Sequence, residues 1–383
     1  MVNNPVVNKI KFGEFHTSEI ARKHINECLD KNWVSIGPKV KLFEEKWADL
    51  FDYPYTVAVN SGTSADIAAC IALYDYGAKP GDNIICPALS FIATANAIRA
   101  AGFIPKFVDV KKETLNIDEK LVEDAIDKNT AAIMGVNLMG KPCKMDILSD
   151  IAQKHKLLFI IDNCEAYGCR YKDEFSLQYC DMETTSHYIA HIVCSCEGGT
   201  VSCKSPEISD AIKSIRSHGR QPNDKYFQHV RYGLNLKQSD LHASIGLGEI
   251  ETFWDSFNTR KKNLYKIREG LIGYEEIAWF IEEDECDVNA PHAFSITLKP
   301  VTHKYLPDLK NDLKQAGIDW KRNFGSMPHH KAFEYLNYDK DDFINAQYIG
   351  DNGIHIGCHQ FLSDDDTDYI INVLQKSLKK APV

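Results

Sequence analysis

Between about residues 55 and 205, short apolar runs alternate with segments of helical periodicity. Thr56-Val57-Ala58-Val59 reads as a strand and precedes a helix that starts near Thr63. Asn83-Ile84-Ile85-Cys86 reads the same way, followed by Pro87 and a helix over about residues 93–101. Ile104 to Val110 and Ala131 to Val136 are further strands, and Leu157-Leu158-Phe159-Ile160-Ile161 is a continuous apolar run that ends in Asp162. Continuous apolar strands separated by helices predict βαβ units and a mainly parallel sheet covered on both faces. Ligands of such sheets collect at the carboxyl ends of the strands.

From about Glu251 the texture changes. A charged helical pattern covers Glu251 to Glu269, and His292 to Leu298 alternates as a strand. Leu306 to Ala316 reads as a helix stopped by Gly317, and Asp366 to Lys379 as a closing helix. The expected organisation is an N-terminal arm (1–12), a large α/β domain (13–250) and a small α+β domain (251–383). No repeat, low-complexity tract or long linker interrupts it.

At 383 residues the chain exceeds one ordinary core, in keeping with two domains. A net charge of -10 argues against a nucleic-acid partner. The first ten residues hold no apolar run of signal-peptide type, and no stretch approaches a membrane span, so a cytoplasmic enzyme is expected. The twelve irregularly spaced cysteines read as free thiols. Cys194, Cys196 and Cys203 invite a metal reading, but they fall in a stretch read as β-rich and no second cluster completes four ligands, so no metal is expected.

Several residues sit where chemistry would be placed. Asn60-Ser61-Gly62-Thr63-Ser64-Ala65 spans a strand-to-helix junction, either a plain capped helix start or an anion site. Asp162 closes the most apolar strand, as a turn residue or a buried carboxylate. Phe91 is core or a stacking surface. His191 lies in the apolar segment 186–199, where a lone histidine is ordinarily structural.

Taken together, these segments resemble the pyridoxal phosphate (PLP)-dependent sugar-nucleotide aminotransferase and dehydratase family of fold type I. The likeness runs from Trp33-Val34-Ser35-Ile36-Gly37-Pro38 to Gly357-Cys358-His359, and its texture is most similar to the GDP-4-keto-6-deoxymannose 3-dehydratases. In that family Ser-aromatic-x-x-x-Lys is followed by Glu-Gly-Gly six residues beyond the lysine. Here Ser186 and Glu197-Gly198-Gly199 keep the frame, but the lysine position is His191, and no lysine lies between Lys172 and Lys204. His187 stands in place of an aromatic and Cys196 in place of a small residue. By the resemblance, Gly62, Thr63 and Ser186 hold the cofactor phosphate, and Phe91 stacks on the ring. Asp162-Asn163-Cys164-Glu165-Ala166-Tyr167-Gly168 then puts Asp162 at the ring nitrogen and Glu165 near the phenolic oxygen. Asn235 reaches the phosphate of a neighbouring subunit, which implies a homodimer with shared sites. His218, Arg220 and Arg231 are candidate pyrophosphate or sugar contacts, or surface charges.

The exchange at position 191 decides the expected reaction. Histidine forms no Schiff base, so the cofactor would be held noncovalently and used as pyridoxamine phosphate (PMP), regenerated from glutamate. The 3-dehydratases carry this exchange. They remove the C3 hydroxyl of a nucleotide-linked 4-keto-6-deoxyhexose, giving a 4-keto-3,6-dideoxy sugar and ammonia for polysaccharide biosynthesis. A neutral imidazole at 191 would move the proton. The alternatives are an aminotransferase altered at its lysine and a catalytically silent sugar-nucleotide-binding relative.

Overall fold

The computed structural model describes residues 9–221, 228–339 and 341–382. Residues 1–8 of the expected N-terminal arm lie outside the described residues. Seven strands form the main sheet: β1 (Tyr55–Val59), β2 (Asn83–Pro87), β3 (Ile104–Val108), β4 (Thr130–Val136), β5 (Leu158–Asp162), β6 (Met182–Ser186) and β7 (Gly199–Cys203). Their spatial order is β1-β7-β6-β5-β4-β2-β3. The run from β6 to β3 is parallel, and β7 pairs antiparallel with β1 and β6.

Successive strand residues point to opposite faces, and β1 to β5 each feed two cores. Val57, Val59, Ile84, Cys86, Met134 and Ile160 enter one apolar cluster. Their sequence neighbours Ala58, Ile85, Ile133, Phe159 and Ile161 enter the other. This double burial explains why β2, β4 and β5 read as apolar runs. Helix α1 (Gly62–Ala72) covers the first face. Residues 38–51 form a helix that covers the second with Val40, Phe43, Trp47 and Phe51.

A second, antiparallel sheet contains β8 (Ala278–Phe280), β9 (Ala293–Leu298), β10 (Trp320–Arg322) and β11 (Gly353–Gly357), in the order β8-β9-β11-β10. It packs with helices Phe253–Glu269, Leu306–Gln315 and Asp364–Leu378 around its own apolar cluster. Gly317 follows the second of these helices with φ 69°, the left-handed stop that the sequence signals. The closing helix starts earlier than the periodicity suggested. Ser363 caps it and Asp366 returns the bond to the cap, so the aspartate lies inside the first turn.

Two connections bring the second sheet over the first. Gly325 and Ser326 pair with Ser90 and Leu89, just beyond the carboxyl end of β2. Ile10 bonds Gly317 and Asp319, so the segment carrying Phe12 runs along the second sheet. Cys194 and Cys196 are not in β structure but in the loop between β6 and β7, and only Cys203 is in a strand. All twelve cysteines are free thiols. No helix among the described residues is long and apolar enough to cross a membrane.

Candidate active site

A cavity of about 450 Å³ opens where the carboxyl ends of the parallel strands face the second sheet. Gly62, Thr63, Phe91, Asp162, Glu165, Ser186 and His191 line it from the main sheet. Phe12, His292, Lys321, Phe324 and His355 line it from the other side. Phe91 is not core: it is 57% exposed, with its ring turned toward Phe324 at 6.0 Å between centroids.

At the carboxyl end of β1 the chain turns directly into α1. Ser61 caps that helix by accepting the Ser64 N–H at 3.1 Å. The N–H groups of Gly62 and Thr63 have no intrahelical partner, and Thr63 is exposed at the cavity, so the end favours an anion. Gly62 is required by proximity: a Cβ there would lie 2.5 Å from the Ser186 Cβ and 2.9 Å from its Oγ. Gly62→Ala is therefore expected to push Ser186 away and destabilise the fold by about 1–3 kcal/mol. A melting curve with and without inorganic phosphate checks this, and the phosphate-dependent gain in melting temperature should shrink.

Asp162 ends β5 at the base of the cavity. Thr94 donates to one carboxylate oxygen at 2.8 Å, and the Cys164 N–H to the other at 3.2 Å. Ser90 and Thr94 share a further hydroxyl bond at 3.0 Å. Burial nevertheless pushes the Asp162 carboxyl up. A second carboxyl, Asp66, lines the same cavity, and no ion pair to Lys, Arg or His reaches either among the described residues.

His191 lies in the loop between β6 and β7, whose backbone is clamped from below. The fully buried Arg260 donates to the carbonyl of Ala190 at 3.2 Å and of His191 at 3.0 Å. Arg260 is itself fixed by Gln360 at 2.6 Å. The His191 ring lies 5.2 Å from that of His292, and its Nδ1 has no hydrogen-bond partner. Burial, then His292 and Arg260, hold the imidazole well below its ordinary value of 6.5, so it is a neutral proton acceptor. His187 fills an aromatic place: it is buried against Phe43, Trp47 and Tyr167, and burial pushes its pKa down to about 3.

Glu165 accepts the Met139 N–H at 2.9 Å and faces His292 Nε2 at 3.5 Å. Burial pushes its carboxyl up to about 7 and His292 down to about 3. The contact is thus between neutral groups over much of the range below neutrality, not an ion pair.

The remaining sequence candidates lie elsewhere in the single chain. His218 and Asn235 are in paired backbone, Ser217 bridging Asn235 and His218 N bonding Leu234 O at 2.9 Å. Arg220 bridges His229, and Arg231 pairs with Asp75 at 2.8 Å. None of these four lines the cavity. The sequence reading missed Phe12, Asp66, Thr94, His292, Lys321, Arg322, Phe324 and His355. Asp66 alone carried a local signal, as a lone carboxyl in an apolar helix.

A protein-family model described as the DegT/DnrJ/EryC1/StrS aminotransferase family matches residues 16–375. The chain is 29% identical over 366 residues to a GDP-perosamine synthase of Caulobacter vibrioides, covering 93% of this chain and 95% of that one. It is 27% identical over 400 residues to a GDP-4-keto-6-deoxy-D-mannose 3-dehydratase of Escherichia coli O55:H7, covering 98% and 100%. Among solved structures, the E. coli GDP-4-keto-6-deoxy-D-mannose-3-dehydratase with bound hydrated PLP superposes with a TM-score of 0.88 at 26% identity, covering 96% of this chain and 100% of that one. The fold is that of fold-type-I PLP-dependent transferases. The chain belongs to the DegT/DnrJ/EryC1/StrS aminotransferase family.

Proposed function

We propose that this protein is a PLP/PMP-dependent 3-dehydratase acting on a nucleotide-linked 4-keto-6-deoxyhexose. The observation that carries the reading is His191, a neutral imidazole facing the cavity where relatives that form a Schiff base need an amine. The cofactor is pyridoxal phosphate or its pyridoxamine form, and the residues present fit it. The helix start at Gly62 and Thr63 with Ser186 suits the phosphate, Phe91 offers an exposed ring face, and the uncompensated Asp162 carboxyl suits a protonated ring nitrogen. When bound, the cofactor supplies an electron sink for the carbon–hydrogen bond to be broken.

The chain's own residues then divide the work. Asp162 holds the proton of the ring nitrogen. Glu165, with a carboxyl near pH 7 still partly protonated, faces the phenolic side. His191 accepts the proton released from the reacting carbon and returns it to the departing C3 hydroxyl, so one imidazole serves both halves of the elimination. Arg260 fixes the loop that presents His191. Glutamate as the amino donor, a homodimer in which Asn235 serves the partner's site, and sugar-nucleotide contacts from His218, Arg220 and Arg231 complete the reading. So does the division into domains 13–250 and 251–383.

One observation favours a second reading, an aminotransferase. Lys321 is the lysine among the residues lining the cavity, and the perosamine synthase relative is as similar in sequence as the dehydratases. Lys321 sits at the rim on β10, with a side chain 56% exposed and Nζ 3.8 Å from Asp319. Borohydride reduction of the PLP-loaded protein, followed by peptide mass mapping, separates the two. The dehydratase reading expects no lysine–cofactor adduct; a stoichiometric adduct on Lys321 would overturn it.

A further inference from the structure

Asp66 has no place in the chemistry described so far. It lies in α1 one turn beyond Gly62, among Ala65, Ala69 and Cys70, and is 1% exposed. An apolar side chain would fill that position without the cost of desolvating a carboxyl. Instead a carboxylate oxygen of Asp66, one of Asp162 and the Cys164 sulfur lie within 4.8 Å of one another, at the cavity wall. Burial and the neighbouring Asp162 carboxyl push Asp66 well up, against the Thr184 hydroxyl, which donates to it at 2.6 Å and favours the charged form. No cationic side chain pairs with either carboxyl among the described residues. The other titratable neighbours are the thiols of Cys164 and Cys70, and burial pushes both well up. Two adjacent carboxyls in such surroundings do not both ionise unless a positive group joins them.

We propose that Asp66 is a second carboxyl of this site, a positioning residue that pairs with Asp162 to supply and hold the proton on the ring nitrogen of the bound cofactor. The inference rests on the PLP reading above. Before binding, the pair retains a proton. On binding, one carboxyl O–H bond breaks and the ring N–H bond forms; no electrons are exchanged and charge is conserved. The new cation then faces two acceptors instead of one. A ring nitrogen held this way keeps its proton, and with it its electron-withdrawing capacity, to higher pH.

The test is the 15N chemical shift of ring-labelled PLP bound to the whole protein, followed between about pH 6 and pH 10. In the wild type the nitrogen stays protonated across this range. Asp66→Asn brings its titration midpoint into this range, a drop of about one pH unit or more. Thr184→Val, which removes the hydroxyl that favours the charged form of Asp66, shifts the midpoint in the same direction by less and covers the case in which the Asn variant misfolds. Asp162→Asn lowers it furthest. If the Asp66 and Thr184 variants stay protonated across the range like the wild type while Asp162→Asn titrates within it, the role given to Asp66 is wrong and the PLP reading stands. If the wild type fails to bind the labelled cofactor, the PLP reading itself falls.

Discussion

His191→Asn is expected to lower dehydration by about 10²–10⁴-fold, the contribution of a positioned general acid–base group. Asparagine keeps a polar side chain of similar reach but cannot carry the proton. The backbone of residue 191 stays clamped, because Arg260 binds carbonyl groups and not the imidazole. Cofactor affinity should therefore change little, and the loss should fall on kcat. The pH profile carries a second signature. The folded imidazole lies well below 6.5, so His191 remains an acceptor on the acid side of that value. The acid limb of wild-type kcat should accordingly fall below pH 6.5. An acid limb centred on the ordinary histidine value would show that burial does not govern this residue. Stopped-flow rates of the pyridoxamine-loaded protein with a 4-keto-6-deoxy sugar nucleotide measure both.

The second large effect belongs to Asp162. Asp162→Asn replaces the carboxylate by a neutral amide, and the rate should fall by on the order of 10²–10³ or more, as for other lost electrostatic partners in closed sites. Stability should move the other way. The Asp162 carboxyl is pushed up by burial in the folded protein, above its unfolded value of 3.8. Its neutral form is tolerated at low pH, and a penalty grows as pH rises from the unfolded toward the folded value. Cofactor-free Asp162→Asn should thus melt above the wild type at neutral pH, with the difference vanishing near pH 4. Thermal melts across pH, with and without PLP, test the pair of expectations. A variant less stable than the wild type at every pH would mean that Thr94 and Cys164 stabilise the charge more than burial opposes it.

The centre of the main sheet was legible because β2, β4 and β5 are buried on both faces, which leaves apolar runs, whereas β6, with the sequence Met182-Glu183-Thr184-Thr185-Ser186, carries no such run and was not read as a strand. The resemblance located the floor of the cavity, and strand ends position it. Asp162 and Ser186 end their strands and Gly62 lies three residues beyond Val59, where local sequence decides position. The opposite wall was not legible. Lys321, Phe324 and His355 lie beside the pairing of Gly325 and Ser326 with Ser90 and Leu89, a contact across more than two hundred residues that no local pattern encodes. Phe12 arrives through the strap on Gly317 and Asp319 in the same way. The loop carrying Cys194 and Cys196 was misread because its apolar residues are buried, which mimics a strand. Cys196 has φ 62°, a left-handed turn that propensity does not expect of cysteine.

The most direct test of the central claim follows one sample through the full cycle. The purified protein is mixed with PLP, then glutamate, then a nucleotide-linked 4-keto-6-deoxyhexose, with absorbance, ammonia and product mass recorded. The account predicts a PLP spectrum without a protein Schiff base, bleaching to the pyridoxamine form with glutamate, and then release of ammonia with loss of the C3 oxygen. A stable 4-amino sugar formed without ammonia would contradict it, and would return His191 to a structural role in an aminotransferase.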